Sequence, residues 1–172
     1  MAALLYEFQD IFGSEVTDMK AYTGPPFEIQ LMSNNRSYRR QYKLSHEDTE
    51  ECERQIQAMY KANVIEPAVG VNAQRFNSPI LIVSRADGKK RCVSDLRGVN
   101  KLISPVVVNL PPIHDLVADL AATKPIILSS IDILSFFWQI PLAPGISRDI
   151  TTMTSPATGE KWHFTRAPFG LS

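Results

Sequence analysis

Residues 125–141, Pro125-Ile-Ile-Leu-Ser-Ser-Ile-Asp-Ile-Leu-Ser-Phe-Phe-Trp-Gln-Ile-Pro141, join an apolar run to a single carboxylate. The β-branched residues Ile126, Ile127 and Ile131 predict a short buried strand. Asp132 closes that strand. An ionised carboxylate left in low dielectric without a partner costs roughly several kcal/mol, so Asp132 needs a cation, hydrogen-bond donors or water. An acidic residue at the end of an apolar strand, followed by a turn and aromatics, suits a site that holds divalent metal on carboxylate oxygens. It equally suits an aspartate that caps the turn. Both readings stand at this point.

The chain of 172 residues, 44% of them apolar, has material for one core of an ordinary globular domain. Cys52 and Cys92 lie far apart, with neither a CxxC pattern nor His spacing. They predict a reduced intracellular protein without a disulfide framework or zinc site. Met-Ala-Ala-Leu-Leu-Tyr-Glu7 has no basic segment before its apolar residues, so secretion is not expected. No apolar run approaches the roughly 20 residues that span a bilayer, and no membrane partner is expected.

Net charge is zero, but the charges are unevenly placed. Arg85, Lys89, Lys90, Arg91, Arg97 and Lys101 stand against only Asp87 and Asp95. This surplus marks a candidate phosphate-binding strip. A solvated hairpin gives the same pattern.

Along the chain, Leu4, Leu5, Phe8, Ile11 and Phe12 fall on one helical face, ended by Gly13. From there to Leu44 the periodicity is poor, with a breaker at Gly24-Pro25-Pro26 and a short alternation over Phe27–Leu31. An extended arm that lies over another surface is expected. Ser45 is the N-cap of a helix whose first turns carry Glu47, Asp48, Glu50 and Glu51. Ile56, Met59 and Tyr60 form its apolar face with Cys52, a packing residue there, and Asn63 with Pro67 ends it. The β-rich runs Phe76–Arg85 and Lys90–Leu96 flank Asp87-Gly88, a strong hairpin signal. Arg85 and Arg91 flank the turn, where guanidinium groups are suited to grip phosphate oxygens.

From Asn77 to Lys101 the sequence resembles the fingers hairpin of reverse transcriptases of gypsy-type LTR retrotransposons and retroviruses. The family pattern runs Ser-Pro, an apolar strand, a basic-Asp-Gly turn, Arg, an apolar residue and Asp-Tyr-Arg-x-Leu-Asn. Further similarities follow in family order. Leu110-Pro-Pro-Ile-His-Asp-Leu116 resembles the opening of a palm helix. Ser130-Ile-Asp-Ile-Leu-Ser-Phe-Phe-Trp-Gln-Ile140 resembles the segment bearing the first catalytic aspartate, and Phe164-Thr-Arg-Ala-Pro-Phe-Gly-Leu171 the Pro-Phe-Gly loop. Tyr42-Lys-Leu-Ser45 and Val64-Ile-Glu-Pro67 resemble the flanks of the intervening helix.

The resemblance implies an α+β fold, the fingers and partial palm of a right-hand polymerase (DNA/RNA polymerase-like), truncated before the Tyr-x-Asp-Asp hairpin and thumb. Residues 1–45 are then a helix and arm, and 46–172 a partial reverse transcriptase domain. Within it, fingers comprise 46–104 and 140–168, palm 105–139, and palm re-entry 169–172. The implied activity is RNA-directed DNA synthesis with two Mg2+ (or Mn2+) ions, which stabilise the attacking and leaving oxygens. The implied partners are an RNA or DNA template-primer and a dNTP. Asp132 takes the place of the catalytic, metal-binding aspartate, with Ile133 offering a carbonyl. Phe137 takes that of the plate beneath the nucleotide sugar, which excludes a 2′-hydroxyl; a core aromatic is the alternative. Arg85 and Arg91 take the places of the triphosphate cations, and Phe169-Gly170 those of the loop against the nucleotide. Asp95, Arg97 and Asn100 would orient the fingers or contact template.

Several positions depart from the family pattern. Phe136 replaces Gly or Ala and would fill the nucleotide pocket or force the turn to rearrange. Ser84 and Ala86 replace common lysines, and Leu96 an aromatic. The sequence reaches Ser172 before a Tyr-x-Asp-Asp pattern, and neither Asp149 nor Glu160 is placed to substitute. One carboxylate does not hold two metals ~3.5–4 Å apart, so stable metal binding and polymerisation by this chain are not expected. The alternatives are a non-catalytic nucleic-acid or protein-binding module derived from a retroelement, and the front part of a complete polymerase. A palm strand without neighbours would expose an edge and apolar surface, and self-association is expected. His46, His114 and His163 suggest no site.

Overall fold

The computed structural model describes residues 2–13, 20–70, 72–84, 86, 88–105 and 109–171. At the N-terminus, α1 (Ala2–Glu7) gives way to a 3-10 turn (Gln9–Ile11). The expected single helix is therefore split, and Leu5, Phe8, Ile11 and Phe12 remain exposed. So short a helix depends on packing, and this apolar face finds little.

The body begins at β1 (Ser37–Tyr38) and α2 (His46–Lys61). The Ser45 hydroxyl accepts from the Asp48 N–H at 3.1 Å, satisfying one orphan donor of the first turn. Cys52, Ile56 and Met59 are buried along one face of α2, as their spacing requires. Tyr60 stays half-exposed but meets Trp162, with ring centroids 5.1 Å apart. The helix ends before Asn63, whose φ of 54° turns the chain into β2 (Ile65–Pro67).

β3 (Phe76–Asn77) pairs in parallel with β1, and β4 (Ile80–Ser84) pairs antiparallel with β5 (Lys90–Ser94). The hairpin register runs from Ile80 opposite Ser94 to Ser84 opposite Lys90. Gly88, φ 76°, takes the left-handed position of its turn. Arg85 and Asp87 lie outside the described residues. Gln55 clamps the edge of β5: its Nε2 donates to the Lys90 carbonyl and its Oε1 accepts from the Cys92 N–H, both at 2.9 Å.

After α3 (Arg97–Asn100) come α4 (Ile113–Ala122), α5 (Phe136–Gln139) and α6 (Ile146–Asp149). β6 (Met153–Thr154) and β7 (Lys161–Phe164) pair around the Ala157–Gly159 turn. With β2 they make a three-stranded antiparallel sheet in the order β2-β7-β6. The buried face of α2 packs with this sheet and the hairpin around Phe76, Ile80, Val99 and Ile150.

The arm lies across the body. The N–H of Phe27 donates to the Pro141 carbonyl (2.7 Å), and that of Ala143 returns to the Phe27 carbonyl (2.9 Å). The Ile29 N–H donates to the Ser147 hydroxyl at 2.9 Å, and Ile29 is buried. Gln41 holds both the N–H and carbonyl of Ile80, at 2.7 and 2.8 Å.

One expectation fails. Residues 126–131 form neither a strand nor a buried segment: Ile126 is 98% exposed and Ile131 83%. A strand needs a neighbour to satisfy its backbone, and among the described residues none lies alongside. α4 shares this exposure at Ile113, Leu116, Val117 and Leu120.

Candidate functional site

The fold brings Arg91, Phe137 and Phe169 together. Arg91, on β5 next to the clamped Cys92, places its guanidinium carbon 3.9 Å from the centroid of the Phe169 ring. Phe169 meets Phe137 edge-on at 5.7 Å and Trp138 at 5.1 Å. A guanidinium stacked by its face keeps its in-plane N–H donors directed outward, which suits phosphate oxygens. Phe169 thus couples the hairpin cation to the aromatic helix α5.

Gly170 has φ 87°, and a Cβ there would meet nothing within 4 Å. Glycine is therefore required by backbone conformation rather than by crowding. The Gly170 carbonyl accepts from the Asn100 side-chain amide at 2.8 Å, tying the loop to the end of α3.

Asp95 is the most densely bonded carboxylate near the hairpin. Its oxygens accept from Arg97 Nε and Nη2 at 2.8 and 2.7 Å, from the Tyr42 hydroxyl at 3.0 Å and from Arg39 at 3.3 Å. The side chain of Asp95 is only 2% exposed, whereas that of Arg97 is 75% exposed. The Arg97 guanidinium, aided by Tyr42 and opposed by burial, holds the Asp95 carboxyl well below the usual carboxylate range. Asp95 joins arm, hairpin and α3 at one point.

Asp132 and Ile133 sit apart from this group. Asp132 is exposed and lines an open cavity of about 760 Å³ with Ile133, Phe136 and, from the N-terminal segment, Asp10, Lys20 and Tyr22. Phe137 instead lines a neighbouring, apolar cavity of about 540 Å³ with Ile29, Ile103, Ala167 and Leu171, and Ile140 lines both. Successive helical side chains diverge by about 100°, which sends Phe136 and Phe137 to different cavities. Ser135, with φ 45°, redirects the chain between Asp132 and α5. Phe136 is half-exposed and meets Phe137 at 6.0 Å.

The donor set does not fit a two-metal centre. Among the described residues no group of three His, Cys, Asp or Glu side chains is placed to hold a cation. Asp10, which shares the cavity with Asp132, is paired with Lys20 at 3.2 Å. Asp132 supplies one carboxylate.

Sequence reasoning missed one polar cluster. His163 Nε2 lies 3.0 Å from Glu66, and its Nδ1 3.3 Å from Asp149. Arg148 donates to the same Glu66 oxygen at 2.7 Å. Burial opposes ionisation of Glu66, but Arg148 and His163 pull its carboxyl below the ordinary value. No spacing signal announces this group, because β2, α6 and β7 meet only in the folded sheet.

No family model matches the chain. It is 33% identical over 171 residues to the "Retrovirus-related Pol polyprotein from transposon 412" of Drosophila melanogaster, covering 96% of this chain and 13% of that polyprotein. It is 33% identical over 132 residues to the "Enzymatic polyprotein" of Cauliflower mosaic virus (strain Strasbourg), covering 75% of this chain and 18% of that one. The chain thus spans less than a fifth of the length of these curated relatives. Among solved structures, the native prototype foamy virus protease-reverse transcriptase superposes with a TM-score of 0.76 over 99% of this chain and 22% of its own, at 21% identity. A foamy viral protease-reverse transcriptase in complex with double-stranded DNA gives 0.71 at 24% identity, over 99% of this chain and 28% of its own. These likenesses establish the architecture.

Proposed function

Given a chain homologous to retroelement Pol polyproteins that has the fold of the fingers and part of the palm of a reverse transcriptase, we propose that it supplies the nucleotide-facing surface of such a polymerase. The contact of Arg91 with Phe169, and of Phe169 with Phe137, is the observation that carries this reading. Arg91 meets the triphosphate, Phe137 lies beneath the sugar, and Phe169-Gly170 backs the base pair. Arg85, outside the described residues, is the second triphosphate cation that the family resemblance implies. Asp95, Arg97 and Asn100 orient these parts, Asp95 by gathering the arm and α3, and Asn100 by holding the Gly170 carbonyl.

Asp132, with the Ile133 carbonyl, is the metal-facing position. Its use requires residues 126–131 to pair as a strand, which no described residue provides. Among the described residues no second and third carboxylate joins Asp132, and one carboxylate does not seat two cations, so polymerisation is expected in a complemented hybrid. No chemical step is assigned to this chain in isolation.

The test joins this chain to a complementing palm and thumb and measures single-nucleotide incorporation. Arg91→Ala is expected to raise the KM for dNTP about tenfold or more, the loss of a charge-assisted hydrogen bond. An unchanged KM, in a hybrid that melts normally, overturns the assignment. Phe137→Ala in the same hybrid is expected to admit ribonucleotides. Retained discrimination would remove Phe137 from the sugar face.

A second reading, a non-catalytic nucleic-acid or protein-binding module, is favoured by the separation of Asp132 and Phe137 into different cavities. Under it, duplex binding falls steeply with salt and Asp132→Asn changes nothing in the hybrid.

A further inference from the structure

The Sγ atoms of Cys52 and Cys92 stand 3.1 Å apart, and both thiols are free. Cys52 is fully buried on α2, whereas Cys92 on β5 is only partly so. The surrounding frame is already fixed. Gln55, one turn after Cys52, clamps the backbone on either side of Arg91 at 2.9 Å. Further toward the start of α2, Lys90 Nζ donates to Glu47 at 2.6 Å and Asp48 at 2.8 Å. The two sulfurs therefore sit inside a seam held at both ends, and an approach of about 1 Å brings them to bonding distance.

We propose that Cys52 and Cys92 are a reversible redox pair, joined on oxidation by an intrachain disulfide that pins the Arg91-bearing strand to α2. The oxidant is a small-molecule disulfide of the glutathione class. The thiolate of Cys92, the more accessible, attacks one oxidant sulfur and expels one small thiolate. The Cys52 thiolate then attacks the Cys92 sulfur of the mixed disulfide and expels the second. Two protein thiols give up two protons and two electrons, and the oxidant leaves as two thiols. The hydrogen bond to Cys52, and then burial, raise the Cys92 thiol well above the usual range, so the exchange is slow.

The full chain is incubated with oxidised glutathione; one portion is unfolded, alkylated and read by intact mass and peptide mapping, and a second, native portion is read by thermal melting. The expected product is about 2 Da lighter than the unalkylated reduced chain, with neither cysteine alkylated and a single Cys52–Cys92 peptide link. Its melting midpoint is expected to rise by several degrees, because the crosslink restricts the unfolded chain. Dithiothreitol reverses both changes. Cys92→Ser and Cys52→Ala, each compared with its own untreated form, show neither. A stable glutathione adduct on Cys92 with Cys52 still alkylated overturns the proposal, as do crosslinks between chains or two persistent thiols. A link that leaves the melting midpoint unchanged overturns the pinning.

Discussion

Asp95 and Asp132 show what a single carboxylate can reveal on its own. Asp132 lies between two isoleucines and Asp95 between Ser94 and Leu96, yet of the two only Asp95 is buried, and it is buried because Arg97, Tyr42 and Arg39 converge on it. Asp95→Asn is expected to lower stability by about 2 kcal/mol at pH 7, measured by urea denaturation. The folded pKa of Asp95 lies below its ordinary 3.8. Its contribution is therefore complete well above that value and is lost as pH falls below about 4 through the folded value. The gap between wild type and variant should narrow as the acid titration proceeds. A gap that stays constant to pH 2 would show that the ion pair is not its source. Asp132 is exposed instead.

At the scale of elements, legibility followed locality. The N-cap, apolar face and end of α2 were readable because i, i+3 and i+4 relations lie within one segment. Ser45→Ala is expected to lower stability by about 1 kcal/mol, whereas Ser45→Asp, which keeps an acceptor, should cost much less. Equal losses for the two would mean that the hydroxyl bond to Asp48 contributes little. The hairpin was readable from its turn, and its register places Arg91 opposite Val83. Residues 126–131 were misread because composition reports suitability for a strand, while the strand itself depends on a neighbour elsewhere in the chain. The Cys52–Cys92 contact escaped for the same reason, since one cysteine faces inward from α2 and the other from β5.

For the whole molecule, α4 and residues 126–131 leave a run of apolar side chains in water, more than scattered surface residues explain. Concentration-dependent self-association is expected in sedimentation experiments, with Leu116→Lys plus Leu120→Lys shifting the chain toward monomer. A single monomeric species at every concentration would contradict this. The sequence by itself determined the helix α2, the hairpin and the order of motifs that mark the polymerase-like fold. All of these are set by short-range spacing and turn chemistry. Only the tertiary structure decided that Phe169 bridges Arg91 and Phe137, that Asp95 is the buried knot and that Asp132 lines a different cavity. Those outcomes depend on which distant segments find one another, and side-chain periodicity within a segment does not encode the partner it will meet.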